Sequence, residues 1–172
     1  MLRIFILNFI TIGFLFAHPH TFIDIFPTIK HKNNTITTIH FDWKFDAMTS
    51  QLLLMEFDPN MDGKIDKEEN EYIFINFFER LEDYGFYTDI RINKKAIKTK
   101  PINFTASIDK EQRIVYGFDI DINTPKDKLY IDFYDEESFT AFMLKKEFIT
   151  SNTPFKIVDV DNDFYFAFRL EF

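Results

Sequence analysis

An α+β fold, an antiparallel β-sheet or sandwich carrying an inserted helix-loop-helix, is what these 172 residues predict. Three observations carry that prediction. Two runs near the N-terminus alternate apolar and polar residues with period two; the spacing then becomes helical on either side of an acidic loop; and period two returns after Gly85 and persists to the C-terminus.

Thr21 to Pro27 and Thr35 to Phe45 form the first two strands, a hairpin turning at Asn33-Asn34. In the second, Ile39, Phe41, Trp43 and Phe45 share one face and His40, Asp42 and Lys44 the other, so the aromatic face is the core face. Asp46 caps a short helix in which Met48, Leu52 and Met55 recur at helical spacing. A second helix runs from about Asp66 to Tyr84, with Phe74, Phe77, Phe78 and Leu81 on one stripe and Gly85 ending it in a left-handed cap. The later strands are Tyr87 to Asn93, Phe104 to Ile108, Ile114 to Ile122, Leu129 to Tyr134, Phe139 to Phe148, Ile157 to Val160 and Phe164 to Phe172. Asn93, Asp109, Asn123-Thr124-Pro125 and Asn152-Thr153-Pro154 supply the turns between them.

Met1-Leu2-Arg3, the apolar run Ile4 to Phe16 and Ala17 have the layout of a secretory signal, with cleavage after Ala17 leaving His18 first. The run is about 13 residues, short of the roughly 20 that span a bilayer. The expected organisation is therefore a signal peptide over residues 1–17 and a single exported domain over 18–172, not membrane-spanning once processed, with the helical insert at about 46–85. Apolar residues make up 46% of the chain and include 24 Phe, enough to build a core despite a formal net charge of −8, which argues against disorder. That acidic balance, with no basic run longer than Lys94-Lys95, argues against nucleic acid as a partner. The absence of cysteine excludes disulfides, thiolate metal sites and cysteine nucleophiles, so any metal must be held by oxygen and imidazole. No Ser/His/Asp constellation or Gly-rich phosphate loop is recognisable, and a non-enzymatic protein is expected.

The segment Asp58-Pro59-Asn60-Met61-Asp62-Gly63-Lys64-Ile65-Asp66-Lys67-Glu68-Glu69 matches the twelve-residue EF-hand calcium template. Asp58, Asn60 and Asp62 at positions one, three and five offer side-chain oxygens, Lys64 at seven its carbonyl, Asp66 at nine a direct or water-bridged oxygen, and Glu69 at twelve both carboxylate oxygens. Gly63 at six allows the sharp bend and Ile65 at eight turns an apolar side chain inward. Calcium of the weak extracytoplasmic class, in a structural role, is the expected ligand.

Cleavage after Ala17 would expose a free amine and two imidazoles in His18-Pro19-His20, donors that suit nickel, cobalt, zinc or copper. The square-planar amino-terminal site with histidine third is excluded, because Pro19 has no amide proton to lose. Asp24 or His40 could assist. His31 falls in a polar turn, and His40, beside Asp42, suits the sheet surface.

Ala17-His18-Pro19-His20-Thr21-Phe22-Ile23-Asp24, Trp43-Lys44-Phe45-Asp46, the acidic loop, Tyr84-Gly85-Phe86-Tyr87-Thr88 and Phe133-Tyr134-Asp135 together resemble the bacterial domain-of-unknown-function-1007 family. That resemblance implies a periplasmic component of a transport system, working beside a nickel- or cobalt-type permease of the inner membrane, with His18 and His20 as metal ligands and Asp24 as their support. Many members lack the calcium loop, which makes calcium an accessory feature of this chain. The functional expectation is a calcium-binding periplasmic accessory in transition-metal transport or homeostasis. The alternative is a calcium-stabilised periplasmic interaction module without a transition-metal role, its Phe-rich helix docking a partner.

Overall fold

A row of aromatic residues on one side of one strand organises the architecture. In β2 (Thr35–Phe45) the inward side chains Ile39, Phe41 and Trp43 are fully buried, while the alternate positions stay partly exposed. The computed structural model describes residues 21–33, 35–125, 129–137, 139–162 and 165–172. The expected signal segment, residues 1–17, and the pair His18 and His20 lie outside these residues.

β2 pairs antiparallel with β1 (Thr21–Lys32) and with β6 (Ile114–Pro125). With β5 (Ile102–Ile108) and β8 (Thr140–Met143) at the edges they make a five-stranded sheet in the order β5-β6-β2-β1-β8. The second sheet runs β4-β3-β7-β10-β9, from β3 (Thr88–Ile92), β4 (Lys95–Ile97), β7 (Leu129–Phe133), β9 (Lys156–Asn162) and β10 (Tyr165–Glu171). The two sheets share a core in a sandwich-like arrangement: Phe41 of the first meets Phe133 of the second edge-on, ring centroids 5.6 Å apart.

Four strand expectations need correcting. β1 does not stop at Pro27: that residue pairs with Phe41, and the ladder continues to Lys32, across a register shift at Lys30/His31. Asn123-Thr124-Pro125 is part of β6 rather than a turn, because Asn123, at φ 55°, takes up a register shift as a bulge and pairing resumes at Thr124 and Pro125. Of the stretch 139–148 only Thr140–Met143 is strand, and it pairs parallel with β1, so the first sheet is mixed. A short 3-10 turn, Lys146–Phe148, follows and lays Phe148 against Phe26 at 4.3 Å. The short β4 was not expected at all.

Between β2 and β3 the chain forms α1 (Ala47–Phe57), the acidic loop and α2 (Lys67–Ile73). The second helix is not α-helical throughout: a π-helical turn at Phe74–Phe78 and a 3-10 stretch at Glu79–Tyr87, broken by left-handed Gly85 and Phe86, complete it. Phe78, 1% exposed, stacks on Phe104 at 4.3 Å and also meets Phe118 and Tyr116, while Phe74, Phe77 and Leu81 pack against the same core. Of the Phe stripe, Phe78 is thus internal, while Phe74, Phe77 and Leu81 are partly buried against the core. Among the described residues no helix is long and apolar enough to cross a membrane.

Candidate functional site

Asp46 sets the direction of α1 into the acidic loop. Its Oδ1 accepts from the backbone N–H groups of Met48 and Thr49, and its Oδ2 from the Thr49 hydroxyl and from Phe22 N in β1. Burial would raise its pKa, but these four donors outweigh that and hold the carboxyl below its ordinary range. Trp43-Lys44-Phe45-Asp46 is thus a structural motif: a core aromatic, a second inward ring and a helix cap.

From Asp58 onward the loop is folded by its own side-chain oxygens. Asp58 Oδ1 accepts from Asp62 N at 3.1 Å and Oδ2 from Gly63 N at 3.0 Å; Asn60 Oδ1 accepts from Asp62 N at 2.8 Å and Asp62 Oδ1 from Lys64 N at 2.9 Å. Met61 at φ 58° and Gly63 at φ 76° make the two left-handed bends. No atom lies within 4 Å of a Cβ placed on Gly63, so its backbone angle, not crowding, asks for glycine. Asp66 then caps α2, and Glu69 Oε2 returns to accept from Asp66 N at 2.9 Å, closing a capping box. Asn60 Nδ2 approaches Glu69 Oε1 at 3.4 Å across the loop.

Asp58, Asn60, Asp62 and Glu69 are thereby brought around one short loop, with the Lys64 main chain and Asp66 between them. Each carboxylate oxygen that accepts one amide keeps a second lone pair for a cation. Asp58 is only 7% exposed, and among the described residues no salt bridge reaches Asp58, Asp62, Asp66 or Glu69. A buried carboxylate that lacks a counter-charge favours a bound cation, and of the four only Asp58 is buried. Among the described residues no three His, Asp or Glu side chains are gathered as a metal centre, although the calcium template would use four carboxylates, Asp58, Asp62, Asp66 and Glu69.

The residues expected to assist His18 and His20 are engaged elsewhere. Asp24 Oδ2 is 3.1 Å from Arg113 Nη2, and His40 lies on the outer face of the first sheet with Nδ1 2.9 Å from Asp119 and Nε2 3.4 Å from Asp42. A second feature lies where the described chain begins: Thr21 N donates to Phe139 O, Thr21 pairs with Thr140, and Thr140 N donates to Asp135 Oδ2. Asp135 is 5% exposed and lines a pocket of about 440 Å³ with Asp83, Tyr84, Gly85, Tyr87, Tyr134, Glu136 and Glu137. Gly85 and Tyr87 at its wall and Phe86 between them are consecutive left-handed residues, strained at the two aromatic positions. Burial and the neighbouring Asp135 push the Tyr87 hydroxyl above its ordinary pKa. Tyr84-Gly85-Phe86-Tyr87 and Tyr134-Asp135 are legible in the sequence as motifs, but nothing local shows that they meet.

Residues 4–158 match the family described as protein of unknown function, DUF1007. An uncharacterized 15.5 kDa protein from the trpE 3' region of Spirochaeta aurantia is 30% identical over 101 residues, 55% of this chain and 69% of that protein. An uncharacterized protein of Haemophilus influenzae is 28% identical over 140 residues, 77% of this chain and 65% of that protein. The matches thus span about two thirds of each relative's length. With the family match running through both motif pairs, the acidic loop and most of both sheets, the chain belongs to the DUF1007 family.

Proposed function

We propose that this chain is an exported, non-enzymatic accessory protein that binds calcium in its acidic loop and serves transition-metal transport or homeostasis beside an inner-membrane metal permease. The carrying observation is Asp58, a carboxylate 7% exposed and without a cationic partner among the described residues, at the head of a loop shaped by its own oxygens. Asp58, Asn60, Asp62, the Lys64 carbonyl, Asp66 and Glu69 would hold the ion. Calcium would draw the oxygens of Asp58, Asp62, Asp66 and Glu69 onto one ion, and so lock α1 to α2.

The transition-metal part rests on the donors of His18 and His20 in the exported chain. An acidic pocket lined by Asp83, Asp135, Glu136 and Glu137 is linked to the start of the described chain through Asp135, which accepts from Thr140 N, and Thr140, which pairs with Thr21. Nickel, cobalt, zinc and copper all accept imidazole with such partners. The second reading, a calcium-stabilised interaction module without a transition metal, is favoured by the exposed apolar face of α1.

Isothermal titration of the chain beginning at His18, first with calcium and then separately with nickel, cobalt, copper and zinc, tests the proposal. The expected results are calcium binding with a dissociation constant on the order of 10⁻⁴ to 10⁻³ M and tighter transition-metal binding that disappears in His18→Ala/His20→Ala. Transition-metal titrations identical in the variant would sink the transport role and leave the second reading.

A further inference from the structure

The helical insert carries the whole formal charge of the protein. Residues 46–87 contain eleven Asp and Glu against Lys64, Lys67 and Arg80, a balance of −8 equal to that of the full chain, so the remaining residues are neutral in sum. On this acidic body lies an apolar stripe. Met48, Leu52 and Met55 recur at i, i+4 and i+7 of α1 and are 62%, 66% and 80% exposed. The Tyr72 hydroxyl donates to Glu56 Oε1 at 2.5 Å, joining the end of the stripe to α2, where Tyr72 is exposed, as is Ile75 in the π-helical turn that follows. The opposite sides of both helices are occupied by core contacts, so this face has no internal partner among the described residues.

We propose that the α1 face docks a basic amphipathic helix of a partner protein, its apolar residues on Met48, Leu52 and Met55 and its Lys or Arg residues against exposed acids such as Glu56 and Glu71. Charge selects this occupant. A second copy would bring another −8 to the interface, and nucleic acid or an anionic membrane would be repelled in the same way. Methionine and leucine suit a helix-in-groove contact, because unbranched or flexible side chains adapt to the ridges of the incoming helix. His18 and His20 do not enter this inference, and a bound calcium would leave the insert acidic, so the inference stands whether or not the metal reading fails.

The test is fluorescence anisotropy with two labelled model peptides of about five helical turns, one patterned with Leu and Lys and the other with Leu and Glu on the same template. The protein is the chain from His18, which contains every described element, at about 0.15 M salt so that distant charges are screened. Saturable binding of the Leu/Lys peptide is expected, with the Leu/Glu peptide at least tenfold weaker. Met48→Gln/Leu52→Gln/Met55→Gln, whose targets are exposed and whose fold is checked by circular dichroism, should weaken Leu/Lys binding at least tenfold. Unchanged affinity in that variant, or equal binding of the two peptides, would overturn the proposal. So would concentration-dependent dimers in sedimentation that the triple variant abolishes, because the face would then belong to a second copy.

Discussion

The two helices of the insert invert what their sequences suggest. The second bears the conspicuous aromatic stripe and buries it, Phe78 touching Phe104, Phe118, Tyr116 and Phe86. The first bears a Met/Leu stripe of similar spacing and leaves it in water, while its buried positions are Phe57 and a serine. Ser50 explains the inversion. Its Oγ accepts from Ile114 N at 3.0 Å and donates to Phe45 O, so α1 is oriented by hydrogen bonds to the start of β6 rather than by its most apolar face. Asn70 does the same for the second helix, with Oδ1 accepting from Ala106 N of edge strand β5 at 2.6 Å. Where a polar anchor and an apolar stripe compete for the inside, the anchor that satisfies a strand amide decides the rotation of the helix.

The largest expected effect comes from the buried stripe. Phe78→Ala should lower the unfolding free energy in urea by about 3–5 kcal/mol, because the cavity would open among rings that cannot all collapse into it. A loss under 1 kcal/mol would mean that the helix is not docked as described.

Next is the anchor itself. Ser50→Ala leaves the Ile114 amide without its partner and should cost about 1–3 kcal/mol, although alanine is the better helix former. A neutral or stabilising result would remove the reason given for the rotation of α1.

Acid should act on the N-terminus of α1. The folded pKa of Asp46 is depressed, so its stabilising contribution is present above the unfolded carboxyl value of about 3.9 and is lost as pH falls through the folded value. Asp109 and Asp119 shift the same way: burial pushes each up, but the donors led by Lys44 and Asn103 hold each carboxyl low. Urea midpoints should therefore hold from neutrality to about pH 4 and fall below it, less steeply in Asp46→Asn. Identical acid limbs in the variant and the parent would contradict the role given to the cap.

The smallest effect is expected where sequence spacing alone would place a core. Leu52→Gln or Met55→Gln should change stability by no more than about 0.5 kcal/mol.

Much of the fold was legible because it is local. Strict alternation of ring and polar residues gave β2 its observed bounds, Asp46 announced a cap, and Gly85 does end the helical unit in the left-handed region. What stayed hidden depends on distant residues. The parallel pairing of β8 with β1, the continuation of β6 through a bulge that reads as a turn, and the choice of Ser50 over Met48 for burial are each set by a neighbour far along the chain. The local turns of the acidic loop were legible, since its side chains bond within five residues of one another apart from Asn60 and Glu69. The pocket around Asp135 was not, because Tyr87 and Asp135 meet only through sheet pairing of β3 with β7.

Calcium in the loop between these two helices is the central claim, and thermal unfolding of the parent and Glu69→Gln, with and without calcium at roughly ten to a hundred times a millimolar-class dissociation constant, tests it most directly. The account predicts that calcium stabilises the parent by about 1–3 kcal/mol, a rise of several degrees in Tm, and leaves Glu69→Gln nearly unmoved. The same Tm for the parent with and without calcium, or an equal rise in both proteins, would contradict it.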